Sequence, residues 1–403
     1  MADFKTKPEI RFAGFTDAWE QRKAVDIFKT TADKGYPELP VLSATQDRGM
    51  ILREDTGINI AHDKKNEATY KRVLPRQFVI HLRSFQGGFA HSNVEGITSP
   101  AYAVLDFIEK ESHDDWFWKY IFSSESFVKR LETVTYGIRD GRSISYADFS
   151  EMSFLYPSSD EQKRIGEAFM TFDNLITLHQ REYDKTVNIK KAMLEKMFPK
   201  DGEDRPEIRF AGFTDAWEQR KLGNLFQVYS GQTPYRGNPE NYDNPTTAWI
   251  RTMDLNNSLI QTNDEGISDK AAERLRLLPP GTVLLAMYGG LNQIGRTGLL
   301  TYPATINQAI SALQPTSEID SYFLITELNQ RIGYWKRIAA SSRKDPNITK
   351  NDVESFELCY PKLLEQKQIG AFFSNIDNLI TLHQRELKKL QNMKKALLEK
   401  MFV

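Results

Sequence analysis

The stretch "PEIRFAGFTDAWEQRK" fills residues 8–23 and returns without a change at residues 206–221. A second pair of segments closes each half. Residues 156–199 read "YPSSDEQKRIGEAFMTFDNLITLHQREYDKTVNIKKAMLEKMFP", and residues 360–403 read "YPKLLEQKQIGAFFSNIDNLITLHQRELKKLQNMKKALLEKMFV", with "DNLITLHQRE" identical in both. The chain therefore has the order A–X–B–A–Y–B, where A is the opening phrase and B the closing segment. X and Y share only a plan: an "LP", an apolar run, a Gly-rich loop, and a basic tail ending in Tyr-Pro. Uniform drift after duplication would blur all parts alike. An untouched A beside dissimilar X and Y points instead to a fixed frame carrying two exchangeable inserts.

B reads as a long helix with a heptad seam, apolar residues recurring at alternating steps of three and four. The first seam is Phe169, Phe172, Ile176, His179, Tyr183, Thr186, Lys190, Met193 and Met197. The second is Phe373, Ile376, Ile380, His383, Leu387, Leu390, Lys394, Leu397 and Met401. A lone helix would leave that seam wet, so the two B segments are expected to pair as a coiled coil. The seam histidines lack a second ligand one turn away and read as packing residues. Lys190 and Lys394 read as register-fixing polar positions. In A, Phe12, Phe15 and Trp19 are expected to pack frame against insert, with Arg11 and Glu20 as candidates to face a partner.

The bulk numbers exclude several classes. The 403 residues carry 53 basic and 54 acidic side chains, a net charge of -1, so DNA binding would have to rest on local surfaces. The single cysteine, Cys359, forms no internal disulfide and no zinc site, and its strand-like neighbours make it a core residue. The absence of a disulfide framework fits a reducing compartment. The start "MADFKTKPEI" has no apolar signal core, and no apolar run approaches the roughly 20 residues of a membrane helix. A cytoplasmic protein without membrane contact is expected.

X and Y are rich in short β-like runs interrupted by helical stretches such as "DDWFWKYIFSSESFVKRLETV" and "DSYFLITELNQRIGYWKRIA". The fold class expected is α+β: two similar globular domains separated and joined by two long helices, with internal pseudo-twofold symmetry. The expected boundaries are 1–23 and 200–221 for the A segments, 24–158 and 222–360 for the inserts, and 159–199 and 361–403 for the helices. The insert loops carry the polar chemistry. In X, "RSFQGGFAHSN" offers Arg83, Ser84, Gln86 and His91, and "YGIRDGRS" offers Tyr136, Arg139 and Arg142. In Y, "SGQTPYRGN" offers Gln232, Thr233, Tyr235 and Arg236, and "WIRTMD" offers Arg251. "YGGLNQIGRT" offers Tyr288, Asn292, Gln293 and Arg296, and "SSRKDPN" offers Arg343 and Lys344. Arg, Gln and Asn can bond base edges bidentately, and glycine lets backbone approach phosphate. Arg83, Arg139, Arg296 and Arg343 are the leading candidates.

No catalytic constellation accompanies these loops. "GLNQIGRT" approaches the P-loop pattern, but Arg296 stands where the phosphate lysine belongs and no magnesium-holding aspartate follows an apolar run. Neither G-x-S-x-G, H-E-x-x-H, C-x-x-C nor the Asn-Pro-Pro-Tyr of amino-methyltransferases occurs.

The doubled frame, with "RFAGFTDAWEQRK" openings and "EQKQIGAFFSNIDNLITLHQRELKKLQNMKKALLEKMF" helices over essentially the whole chain, resembles the specificity (S) subunits of type I restriction–modification enzymes. That resemblance implies two target-recognition domains reading a bipartite double-stranded DNA site, with the coiled coil setting the spacer. It implies partners: two methyltransferase (M) subunits and restriction/translocase (R) subunits. The chain would be non-catalytic and hold no cofactor or metal, with S-adenosylmethionine, ATP and Mg used by the partners. Two other readings are a coiled-coil adaptor that does not read DNA and the specificity part of a fused modification–restriction enzyme.

Overall fold

The structure is a computed structural model. It describes residues 7–45, 48–57, 64–81, 88–134, 144–341 and 346–402. The chain divides into two compact units, Met1–Gln180 with Arg385–Val403, and Arg181–Gln384. The division falls within the long helices, Ser159–Met197 and Leu363–Met401, so each unit holds the start of one helix and the end of the other.

Inside each unit the two helical segments run antiparallel. In the first, Phe402 stacks on Phe169 at 5.7 Å and Lys394 pairs with Asp173. In the second, Phe198 packs on Phe373 at 5.9 Å, Lys190 pairs with Asp377 at 2.5 Å, and Gln384 Nε2 donates to the Tyr183 hydroxyl at 3.1 Å. Every expected seam position is buried or half-buried, while Leu175, Leu178, Leu379 and Leu382 between them are exposed. The seam lysines set register by ion pairs to the facing helix rather than by reaching solvent.

The A segments fasten each unit. Glu20–Lys23 pairs antiparallel with Ser153–Tyr156, and Glu218–Lys221 pairs identically with Glu357–Tyr360. The strand that leads into each insert thus lies beside the strand that leads out, and the insert is a long excursion from a fixed two-stranded base. Trp19 and Trp217 are buried, edge-on to Phe117 and Phe323 at 6.0 and 5.7 Å. Arg11, a candidate partner-facing residue, is instead internal. Its guanidinium grips both oxygens of buried Glu161 at 2.8 and 2.5 Å, and Nη1 donates to the Asp17 carbonyl. Arg209 repeats this with Glu365 and the Asp215 carbonyl. Glu20 is exposed and pairs with Arg22. The Ile10 amide donates to the Lys400 carbonyl as the Ile208 amide does to Lys196, so the first unit makes across distant chain segments the contact that the second makes within one continuous stretch.

The largest sheet differs between the two inserts. In the first it has four antiparallel strands in the order Phe28–Thr31, Ala103–Phe107, Phe78–Ile80, Phe89–His91. It packs on the helix Asp115–Ser123 through an aromatic core of Phe28, Phe78, Phe107, Trp118 and Phe122. In the second it has five strands in the order Tyr229–Ser230, Ile310–Leu313, Val283–Ala286, Thr297–Leu300, Ser258–Ile260, of which only the last pair is parallel. Cys359 lies half-buried on Glu357–Tyr360, and burial pushes its thiol up to about 11, which keeps it a protonated packing residue.

Candidate nucleic-acid interface

Strand register gathers the second insert's loops at one end of its five-stranded sheet. Ala286 pairs with Ile310, Ser230 with Ser311, Leu285 with Thr297, and Ser258 with Gly298. The segments that leave these strands therefore meet. The Gln232 amide donates to the Ile306 carbonyl at 3.1 Å and Met287 to Ala309 at 2.7 Å. Asn257 donates to Thr297 at 2.8 Å, and Ile348 to Met287 at 2.9 Å. Close approach explains one glycine: a Cβ on Gly231 would lie 2.0 Å from the Ile306 carbonyl oxygen. Gly289 and Gly290, with φ of +117° and +79°, turn the 287–296 loop back on itself where a side chain would be strained.

Gln232, Thr233, Tyr288 and Asn292 are exposed at this end, and Thr233 bonds Gln308. Gln293 is half-buried. Arg296 Nε donates to the Asn292 carbonyl at 3.0 Å, and among the described residues its Nη nitrogens make no hydrogen bond. Arg251 also lies here but is spoken for, with Glu265 at 2.6 Å, Asp264 at 3.4 Å and Asp254 at 3.9 Å. Arg236 pairs with Glu265 at 2.6 Å and lies over the Tyr242 and Trp249 rings. The near-P-loop uses its amides internally, Gln293 and Ile294 donating to Gly290 and Gly295 to Ala286, so it forms no phosphate cradle. Arg343 and Lys344 lie outside the described residues.

The search for polar residues missed the apolar members of this surface. Met253 and Leu291 are 66% and 47% exposed, beside Tyr235 at 77% and Tyr288 at 38%. Only Leu291, directly after Gly289-Gly290, had a sequence signal for an outward loop; Met253, on the turn Thr252–Asp254, had none, though aliphatic and aromatic groups can contact thymine methyls or stack on bases.

In the first insert, the His81 amide donates to the Gly88 carbonyl, and the sequence between these two residues contains Arg83, Ser84 and Gln86. Those three residues, with Tyr136, Arg139 and Arg142, lie outside the described residues. His91 is a strand residue. It sits at the other end of its strand opposite Phe78, 3% exposed, with Nε2 2.7 Å from Asp115 Oδ2. Arg76 holds the other Asp115 oxygen at 2.9 Å. Burial pushes the Asp115 carboxyl up, but the bonds from His91 and Arg76 outweigh it and leave the pKa below the ordinary value. His91 is thus a core hydrogen-bonding residue. Nearby His113 stacks on Phe107, and burial holds its imidazole down to about 4.

Among the described residues no cluster of potential ligands could hold a metal, and no helix is long and apolar enough to cross a membrane. The family profile "Type I restriction modification DNA specificity domain" matches residues 214–392. The chain named as the MjaX specificity subunit of Methanocaldococcus jannaschii is 23% identical over 94% of this chain and 92% of its own length. The type I restriction enzyme MjaVIII specificity subunit of the same organism is 24% identical over 75% and 73%. The S subunit of a type I system from M. genitalium superposes with a TM-score of 0.64 over 98% of this chain and 99% of its own, at 14% identity. Residues 214–392 thus carry a type I restriction modification DNA specificity domain, and along its length the chain is similar to type I specificity subunits. A further solved chain, described in connection with complex assembly and conformational transition of the type I system, is 17% identical with a TM-score of 0.50 over 95% and 97%. As expected from the sequence, the fold is α+β, with two inserts on one repeated frame.

Proposed function

We propose that each insert of this specificity subunit reads one half of a bipartite duplex DNA site and that the paired helices set the unread distance between halves. The observation that carries this reading is that Gln232 and the 287–296 loop bearing Tyr288, Asn292 and Arg296 meet at one sheet end of an insert held by a repeated base. Exposed guanidinium, amide, phenol and apolar groups on one surface match the mixture of phosphate, base-edge and methyl contacts by which duplexes are read. The frame is taken to bind partner subunits, two methyltransferase copies on its two equivalent surfaces and restriction subunits beyond them. S-adenosylmethionine, ATP and Mg are then needed by those partners, and the chain itself acts in the cytoplasm without catalysing a reaction. The test is methylation-site sequencing in cells with and without this chain. Loss of one bipartite methylated motif supports the reading, and an unchanged methylome overturns it. Stoichiometric S-adenosylmethionine on the isolated chain would overturn the assignment of cofactors to the partners.

A further inference from the structure

Each long helix meets its insert through the same three positions. In the first unit, fully buried Gln162 accepts the Asp114 backbone N–H at 3.0 Å, and its Nε2 donates to the Ser112 and Pro157 carbonyls at 3.2 and 2.8 Å. One turn on, a Cβ on Gly166 would lie 2.6 Å from Asp114 Oδ1. Two turns further, Asp173 accepts the Tyr120 hydroxyl at 2.7 Å while pairing with Lys394. The second unit repeats all three. Gln366 accepts the Asp320 N–H at 2.8 Å and donates to the Glu318 and Pro361 carbonyls at 3.0 and 2.8 Å. A Cβ on Gly370 would lie 2.6 Å from Asp320 Oδ1, and Asp377 accepts the Tyr322 hydroxyl at 3.0 Å while pairing with Lys190.

On the insert side, Asp114 and Asp320 each cap the first turn of a helix, accepting from Phe117 N at 2.8 Å and from Phe323 N at 2.9 Å. The tyrosines do not correspond. Tyr120 stands six residues after its capping aspartate and Tyr322 two, yet both deliver a phenol to the equivalent frame carboxylate. Inserts with little common sequence thus satisfy one geometric demand by different routes, which places the demand in the frame.

We infer that Gln162, Gly166 and Asp173, and again Gln366, Gly370 and Asp377, form a docking socket that fixes the angle at which each insert leaves the frame. The socket thereby sets the phase in which the insert's loops meet their half-site. This rests on the reading that the inserts recognise DNA. The glycine removes slack, because cap and helix backbone touch directly. The carboxylate is a second anchor about 10 Å along the helix at 1.5 Å per residue. Two such points fix rotation, and any angular error grows with distance from the socket toward the loops. These are positioning residues: none lies on the reading surface. An insert fits if it supplies an aspartate-capped helix with an aromatic residue at the third position and a phenol that reaches the frame carboxylate.

The test uses the full chain produced with its methyltransferase partner, on a DNA library with both half-sites fixed and the spacer varied one base pair at a time. Gly370→Ala should keep both half-site sequences and shift or broaden the accepted spacer, with methylation at the original spacer falling about tenfold to a hundredfold, as for other displacements of about 1 Å. Asp320→Ser, which keeps a cap with a shorter side chain, should restore part of that loss in the double variant. Tyr322→Phe removes one oxygen, and should broaden the spacer less; it decides the matter if Gly370→Ala does not fold. Unchanged spacer preference in a folded Gly370→Ala or in Tyr322→Phe overturns the socket, as does a change in half-site letters. Absence of any bipartite site for the unsubstituted chain would instead overturn the reading on which the socket rests.

Discussion

The frame and the inserts solve opposite problems. The frame makes the same contacts twice with the same letters: Arg11 on Glu161 and Arg209 on Glu365 within it, and Trp19 and Trp217 each on a phenylalanine of the adjoining insert, Phe117 and Phe323. The inserts make different sheets, four antiparallel strands against five strands of mixed direction, from largely different letters. Yet each begins and ends on the same two-stranded base. Adjacent ends let an insert change its interior without moving the frame, and a frame that serves two inserts has little freedom to change itself. Sequence identity is retained where two copies must present one geometry and lost where each copy meets a different target.

The largest effect expected from breaking this contrast is exchange of an insert. Replacing residues 24–155 with the corresponding part of a related chain should change one half-site completely and leave the other half-site and the spacer as they were. Methylation-site sequencing reads this directly, and a change in both half-sites would show that the inserts are not independent.

Damage to the frame should act on stability instead, and equally in both copies. Glu161 and Glu365 are each about 1% exposed. Arg11→Ala and Arg209→Ala each strand a buried carboxylate and should cost about 3 kcal/mol. Chemical denaturation of the two variants should give similar losses; a cost confined to one copy would mean that the repeated contacts are not equivalent.

Within the second insert, two arginines separate reading from folding. Arg296→Ala should weaken binding by roughly 1–3 kcal/mol and relax one position if it reads a base. If it meets phosphate, it should weaken all sequences alike and flatten the salt dependence. Arg251→Ala should lower stability more than it alters sequence choice, because Glu265, Asp264 and Asp254 already surround that guanidinium. Binding at two salt concentrations with paired melting curves distinguishes them.

The smallest effect is a difference in acid sensitivity. The buried His113 imidazole titrates near 4 rather than at the ordinary 6.5, so the unfolded chain binds its proton first. The stability of the first unit should be complete above pH 6.5 and decline as pH falls toward 4. Protonation of Asp115, held below the ordinary carboxylate range, adds a loss at still lower pH. The second insert, residues 222–360, contains no histidine. Hydrogen exchange at pH 7 and pH 5 should therefore show loosening concentrated in the first unit, and His113→Phe should remove most of it. Equal loosening of both units would remove His113 from the explanation.

The sequence showed the seam, the fastening role of Trp19 and the modular order because each is periodic or repeated. It did not show that Arg11 is internal, since Glu161 lies 150 positions away and only the fold brings them together. His91 looked like a loop residue because it follows a Gly-rich stretch; strand pairing with Phe78 carries it into the core. The capping aspartates Asp114 and Asp320, each three residues before a phenylalanine, went unread because the partners that give that spacing meaning sit on the long helices. Met253 and Leu291 were passed over because only polar side chains were sought for DNA contact.

The central claim is that helix length sets the distance between half-sites. Duplicating the heptad "NLITLHQ" in tandem in both helices, Asn174–Gln180 and Asn378–Gln384, keeps the seam in phase and adds about 10 Å at 1.5 Å per residue. At about 3.4 Å per base-pair step, sequencing of methylated sites should show both half-sites unchanged and the spacer longer by about three base pairs. Methylation retained at the original spacer would contradict the account.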